Sequence, residues 1–268
     1  MGRQARKMIL ITLAAAALLC ACAGAAAESG PEDAYRAAPA SFGGGDYAQA
    51  GRLFAEAGAY ADSAVYLAEC NRLLAPVTIN NAYARERIVS ALAAEGMAVS
   101  GEVSAWQAEA LTALDLSGCA LYDVGFLEAF TGLETLSIAD NAVADLYPLR
   151  GLYRLETLDA SGNRIEDITP LYNLTALTAL SLAGNSVERI DVLGSLVNLR
   201  TLDLSGNAVV SVATLQSLSR LEALDISENY VAYLNPLGGL TALRKLDISN
   251  NKVESVLAIR TLANLEEL

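Results

Sequence analysis

Carboxylates and four cysteines are the residues of this chain best suited to chemistry, because histidine is absent. Without an imidazole there is no Ser/His or Cys/His nucleophilic pair and no His-bearing metal site. The cysteines, Cys20, Cys22, Cys70 and Cys119, form neither a CxxC pair nor the spacing of a disulfide framework. What remains is acid: Asp203, Asp225 and Asp247 recur every 22 residues, with Lys245 beside the last of them. Paired carboxylates can drive hydrolysis, but they need a pocket that gives the two groups different environments. These acids sit instead at repeated positions of an acidic chain, so a carboxylate-based hydrolase ranks last among the readings. No catalytic residue, metal or cofactor is expected. The formal charge of −13 repels nucleic acid, and loss of residues 1–21, which hold Arg3, Arg6 and Lys7 and no acid, would make it more negative.

The two N-terminal cysteines have a different use. Arg3, Arg6 and Lys7 precede a short apolar run from Met8 to Leu19, followed by small residues. This is the pattern of a secretory signal. Leu19-Cys20-Ala21-Cys22 resembles the bacterial lipobox, in which the cysteine after a small residue is lipidated and becomes the new N-terminus. The resemblance makes Cys22 the acceptor and implies a lipoprotein held at the outer side of the cell membrane. Ala23, Ala25 and Ala27 offer ordinary cleavage and secretion instead. An uncleaved anchor is a third possibility, and all three place the folded part outside the cytoplasm.

Residues 23–45, rich in Ala, Gly, Ser and Pro, are expected to form a flexible tether. From Asp46 a helical period begins, with Tyr47, Ala50, Leu53, Phe54 and Ala57 on one face and Gly58 as the stop. Tyr60, Ala64, Leu67, Cys70 and Leu74 mark a second helix. Residues 46–75 resemble a single tetratricopeptide-like hairpin, with Cys70 as a small buried apolar residue. A further helix over about 82–95, and Trp106 after it, are expected to cap a solenoid within residues 76–110.

Residues 111–268 carry the decisive signal. Leu111, Leu133, Leu155, Leu177, Leu199, Leu221, Leu243 and Leu265 are each 22 apart, giving seven full repeats and the start of an eighth. Leucine returns at the fourth position of every full repeat and an apolar residue at the sixth, the alternation of a short strand. The ninth position reads Cys119, Asn141, Asn163, Asn185, Asn207, Asn229 and Asn251. An amide there can bond the backbone groups of the turn after each strand, which would otherwise be buried unpaired. Cys119 is expected to be a weaker structural substitute at the end of that ladder. Pro148, Pro170 and Pro236 share the sixteenth position, on the return stretch where no strand is interrupted.

The stretch from Leu155 through Asp159, Gly162, Asn163, Ile165 and Pro170 to Ala176 resembles the 22-residue leucine-rich repeat of the internalin type, found in bacterial surface proteins. The resemblance covers residues 111–268. It implies an α/β repeat solenoid, a right-handed horseshoe with parallel strands on the concave face and 3₁₀ or irregular turns on the convex face, used to bind proteins. The chain opens an eighth repeat at Leu265 without a capping element, which suggests a longer protein.

In such a coil the third, fifth and seventh positions point outward from the sheet. The fifth position reads Asp115, Ser137, Asp159, Ser181, Asp203, Asp225 and Asp247. Strand neighbours lie about 4.8 Å apart, so repulsion along this file stays below roughly 1 kcal/mol in water. The file therefore requires no bound cation. Binding hot spots favour aromatics and Arg, and the central concave positions have none. Lys245, Glu228, Tyr230, Tyr233 and Lys252 gather toward the last repeats and, with Asp203, Asp225 and Asp247, form the expected ligand-binding set. Tyr147, Tyr153 and Tyr172 fall on the convex or return side and are expected to pack. The function these patterns point to is a surface-tethered module that binds a protein or glycan; the alternative is a spacer presenting a further C-terminal domain.

Overall fold

The computed structural model of the chain describes residues 30–268. Cys20, Cys22 and the leader lie outside the described residues. The described chain divides into two compact units, the first running through Val77 and taking in Gly101–Gln107, the second comprising Thr78–Ser100 and Ala108–Leu268.

Three helices build the first unit: α1 (Pro31–Gly43), α2 (Tyr47–Ala57) and α3 (Ser63–Leu74). Helix α1 corrects the expectation of a tether, since its residues lie within 23–45. Pro31 opens the helix where its missing N–H costs nothing, Glu32 and Asp33 complement the N-terminal dipole, and Ala34, Ala38 and Phe42 recur at four-residue steps to make a buried face. Small alanines hide that period in the sequence. Asp46 caps α2 by accepting from the Gln49 N–H at 2.9 Å. The core gathers Phe42, Phe54, Cys70 and Leu73, with Tyr47, Tyr66 and Trp106 packed against it. The Phe54 and Tyr66 rings stack at 5.1 Å, and Trp106 lies 5.7 Å from Tyr47. Trp106 thus serves the helical core rather than the solenoid cap expected of it. A lone hairpin would leave Phe54 and Tyr47 facing water; α1 and the Trp106 segment supply what they bury against.

In the second unit, helix α4 (Ala82–Ala94) buries Ala84, Ile88 and Leu92. Asn81 caps it, accepting from the Ala84 N–H at 2.8 Å while its Nδ2 donates to the Cys119 carbonyl at 2.9 Å. This ties the helix to the first coil of the repeat array. A short helix, α5 (Ala105–Ala110), carries the chain onward from the first unit.

Seven three-residue strands follow, β1 (Ala113–Asp115), β2 (Thr135–Ser137), β3 (Thr157–Asp159), β4 (Ala179–Ser181), β5 (Thr201–Asp203), β6 (Ala223–Asp225) and β7 (Lys245–Asp247), in one parallel sheet in sequence order. Every residue pairs with the one 22 further on, as Leu158 with Leu180 and Asp203 with Asp225. Each coil returns through a five-residue 3₁₀ helix, such as Tyr147–Gly151 or Thr169–Asn173. Pro148, Pro170 and Pro236 stand second in three of these helices, in the first turn where a fixed φ and absent N–H are harmless. The leucines of the first and fourth positions and the apolar residues at the later core positions are buried through the sixth repeat, as Leu199, Leu202, Leu204, Val209, Val212, Leu215 and Leu218 show. In the last repeat, Val256 and Leu257 are exposed.

The eighth position of each repeat turns the chain with positive φ: Gly118, Asp140, Gly162, Gly184, Gly206, Glu228 and Asn250 all lie between 54° and 66°. Glycine suits this conformation, Asn and Asp tolerate it, and Glu228 is the poorest fit. Immediately after each turn stands the ladder residue. Asn207 donates through Nδ2 to the carbonyls of Leu182, Leu204 and Ser205 at 2.8, 3.0 and 3.1 Å, and its Oδ1 accepts from the Val187 N–H at 2.9 Å. Asn141, Asn163, Asn185, Asn229 and Asn251 repeat the pattern, as with Leu121 N–H donating to Asn141 at 2.9 Å and Val231 N–H to Asn251 at 2.9 Å. Each amide therefore ties one coil to the one before it. Cys119 cannot repeat this bonding and makes a weak contact, Sγ to the Ser117 carbonyl at 3.8 Å.

Candidate functional site

The strands alternate as a pleated sheet must: the fourth-position leucine is buried while its two neighbours face out. Thr157, Ala179, Thr201, Ala223 and Lys245 make one outward row, and Asp159, Ser181, Asp203, Asp225 and Asp247 the other. Together they line a groove of about 670 Å³ that crosses β3 to β7 and ends at Glu267 and Leu268.

The aspartates of this groove have a local structural task. Oδ1 of Asp203 accepts from the Ser205 N–H at 2.9 Å and from its hydroxyl at 2.7 Å, and Asp225 holds Ser227 in the same way at 2.8 and 2.7 Å. Asp247 accepts from the Ser249 N–H at 2.8 Å. Those bonds brace the chain as it leaves the strand and hold the Asp247 carboxyl below the usual carboxylate range, as they do for Asp115 beside Ser117. One oxygen of each carboxylate is thus committed to its own turn, and the other is open to the groove. Among the described residues, no group of three or more Asp, Glu or Cys side chains is arranged to hold a metal ion.

The expected C-terminal cluster divides into separate parts. Lys245 stands in the groove and pairs with Glu267 at 2.9 Å. Lys252 and Tyr230 meet each other instead, the ammonium 4.8 Å from the ring centre, in the loop after the ladder turn. Glu228 occupies the left-handed position of that turn. Lys245 belongs with the aspartate file, and Tyr230 with Lys252.

The expectation that Tyr147, Tyr153 and Tyr172 pack is overturned: they are 56, 62 and 59 % exposed. Their places, fifteenth, twenty-first and eighteenth in their repeats, lie between the core positions, so the register already pointed them outward. Tyr147 is covered on one face by Arg150, whose guanidinium sits 3.7 Å from the ring centre and pairs with Glu128 at 2.9 Å. Tyr122 is the most exposed of all at 81 %.

Both thiols among the described residues are sealed. Cys70 and Cys119 are free and buried. Burial pushes the Cys70 thiol up to about 11 and raises that of Cys119, so neither is a thiolate at neutral pH. No helix among the described residues is long and apolar enough to cross a membrane.

Comparison with known proteins follows the same lines. The family model for leucine-rich repeats in two copies matches residues 153–195 and 175–218. A search of curated proteins finds no match. Among solved structures, the chain is similar to an internalin, InlF, of Listeria monocytogenes, at 28% identity and a TM-score of 0.58, over 59% of this chain and 47% of that one. A leucine-rich repeat protein of Leptospira interrogans is 26% identical with a TM-score of 0.57, over 60% of this chain and 44% of that one. Internalin C2 of Listeria monocytogenes, 24% identical with a TM-score of 0.58 over 70% of this chain and 92% of its own, shares the fold. The chain spans about half the length of the first of these relatives. Register, Asn ladder, parallel sheet and these likenesses agree: the chain carries an internalin-like leucine-rich repeat solenoid, a fold whose typical work is protein–protein interaction.

Proposed function

We propose that the protein is an exported, lipid-anchored binding module whose sheet face takes a protein partner. The observation that carries this reading is the groove across β3 to β7, where two rows of small and acidic side chains stand on a backbone locked by the Asn ladder. Preorganisation of this kind lowers the ordering cost of binding. Asp203, Asp225, Asp247 and Lys245 supply the polar contacts, and Glu228, Tyr230 and Lys252 extend the surface beyond the turns. Cys22 is the lipid acceptor, and residues between it and Gly30 join the anchor to the helical unit.

Two measurements test the proposal. A photo-crosslinking residue placed at Thr201 should capture a partner in intact cells, and Asp203→Lys combined with Asp225→Lys should abolish the capture. Capture unchanged by that charge reversal, or none from Thr201, would remove the groove from consideration. For the anchor, a palmitate analogue should label the wild type and fail to label Cys22→Ala; equal labelling of both refutes lipidation at Cys22.

A further inference from the structure

Three of the exposed tyrosines outside the sheet face, joined by one valine, follow a regular order along the solenoid, while Tyr153, Tyr230 and Tyr233 stand off that order. Tyr122, Tyr147, Tyr172 and Val197 are each 25 residues apart, one coil plus three positions. All four are exposed, at 81, 56, 59 and 47 %. Relative to the 3₁₀ helices that begin at Gly125, Tyr147, Thr169 and Asp191, they stand three residues before, at the start, three after and six after. For Tyr147 and Tyr172, which both stand on 3₁₀ helices, a coil spacing of about 4.8 Å and a 3₁₀ rise of about 2 Å per residue make the step roughly 8 Å. The result is a diagonal apolar ridge across four coils.

Acid runs alongside it. Asp123, Asp145 and Asp167 occupy the thirteenth position of the first three repeats, each accepting the N–H two residues on at 2.7, 2.7 and 2.8 Å. Tyr122 and Asp123 line one cleft, of about 170 Å³, and Tyr172 and Asp167 another, of about 620 Å³, which also holds Glu166, Glu188 and Arg189, the last paired with Asp191 at 3.1 Å. The middle of the ridge shows what such a tyrosine and acid pairing holds: Arg150 lies 3.7 Å from the centre of Tyr147 and pairs with Glu128. Among the described residues no cation lies over Tyr122 or Tyr172.

We propose that this ridge is a second interaction surface, which takes a basic segment of a protein partner by seating Arg or Lys side chains over Tyr122 and Tyr172. Three features of the molecule select that occupant. Exposed tyrosine is the residue type that concentrates binding energy at protein interfaces. The acids beside Tyr122 and Tyr172, which in the second cleft outnumber the one cation Arg189, complement a cation that also stacks on the ring face. The chain's formal charge of −13 steers a basic partner toward it.

The test uses the full chain and a fluorescein-labelled nona-arginine peptide, with an oligomer of N-acetylglucosamine as the uncharged probe. Binding is followed by anisotropy for the wild type, Tyr122→Ser with Tyr172→Ser, the same pair changed to Phe, and Tyr83→Ser with Tyr153→Ser as exposed tyrosines off the ridge. None of these changes alters net charge, so attraction by the acidic surface as a whole stays constant. Two cation–π contacts predict a loss of roughly tenfold in affinity for the Ser pair on the ridge. The Phe pair and the off-ridge pair should bind as the wild type does. Equal affinity of the ridge Ser pair and the wild type overturns the proposal, as does preference for the sugar oligomer over the basic peptide. Unchanged thermal melting of the four proteins separates loss of the surface from loss of the fold.

Discussion

Asn207→Ala removes one rung of the ladder, and its cost follows from which of the abandoned partners keep another bond. The Leu182 carbonyl still accepts from Asn185 at 3.0 Å, the Leu204 carbonyl from Asn229 at 2.8 Å, and the Ser205 carbonyl from the Gly184 N–H at 2.8 Å. Only the Val187 N–H loses its sole partner. An orphaned buried donor costs about 1–3 kcal/mol, and weakening of the three shared acceptors adds about 1 kcal/mol. The variant should therefore lose roughly 3 kcal/mol, or about 6–12 °C in Tm for a chain of this size. Asn207→Asp sharpens the argument. Its carboxylate can still accept from Val187 but faces the three carbonyls as an uncompensated buried charge, so it should cost more than Ala at pH 7. Burial among acceptors raises its folded pKa above the unfolded value near 3.9. The Asp variant should then gain stability as pH falls through the folded pKa, when the new proton supplies a donor. Urea unfolding monitored by circular dichroism gives the energies, and hydrogen exchange at the Val187 amide reports the orphan directly. A loss under about 1 kcal/mol for Ala, or an Asp variant no worse than Ala at pH 7, would refute the ladder account.

Three further outcomes are expected. At the left-handed eighth position, Glu228→Gly should stabilise by about 1 kcal/mol and Gly206→Ala should destabilise by a similar amount, both read from chemical denaturation. Gly132→Ala should cost more, over about 2 kcal/mol, because a Cβ there would lie 2.1 Å from the Glu109 carbonyl oxygen and backbone must move; a melt within a degree of wild type would argue against it. Asp115, Asp167 and Asp247 have lowered folded pKa values, first from the hydroxyl and then from the amide of the residue two further on. Their stabilisation is complete above the unfolded value near 3.9 and is lost as pH falls through the folded pKa. Melting should therefore decline below about pH 4, and changing all three to Asn should flatten that decline.

The solenoid was legible in the sequence because its physics is local and repeated. A leucine at the first and fourth positions and a turn residue at the eighth recur in all seven full repeats, and an Asn at the ninth in every one after the first, where Cys119 stands, so the copies state the same requirement and the 22-residue period shows it. The outward position of Asp203, Asp225 and Asp247 followed from strand alternation alone. Tertiary structure decided whatever depended on a partner that does not repeat. Helix α1 exists because Ala34, Ala38 and Phe42 have α2 to bury against, and nothing in an Ala- and Pro-rich stretch announces that partner. Trp106 went to the helical core because Tyr47 was there to meet it. The C-terminal cluster came apart for the same reason: Lys245, Tyr230 and Lys252 are near in sequence, but one stands in a strand and two in the loop beyond the turn. The tyrosine ridge lies between these cases. Its 25-residue interval is present in the chain, yet only the 22-residue coil turns that interval into a shift of three positions from each coil to the next.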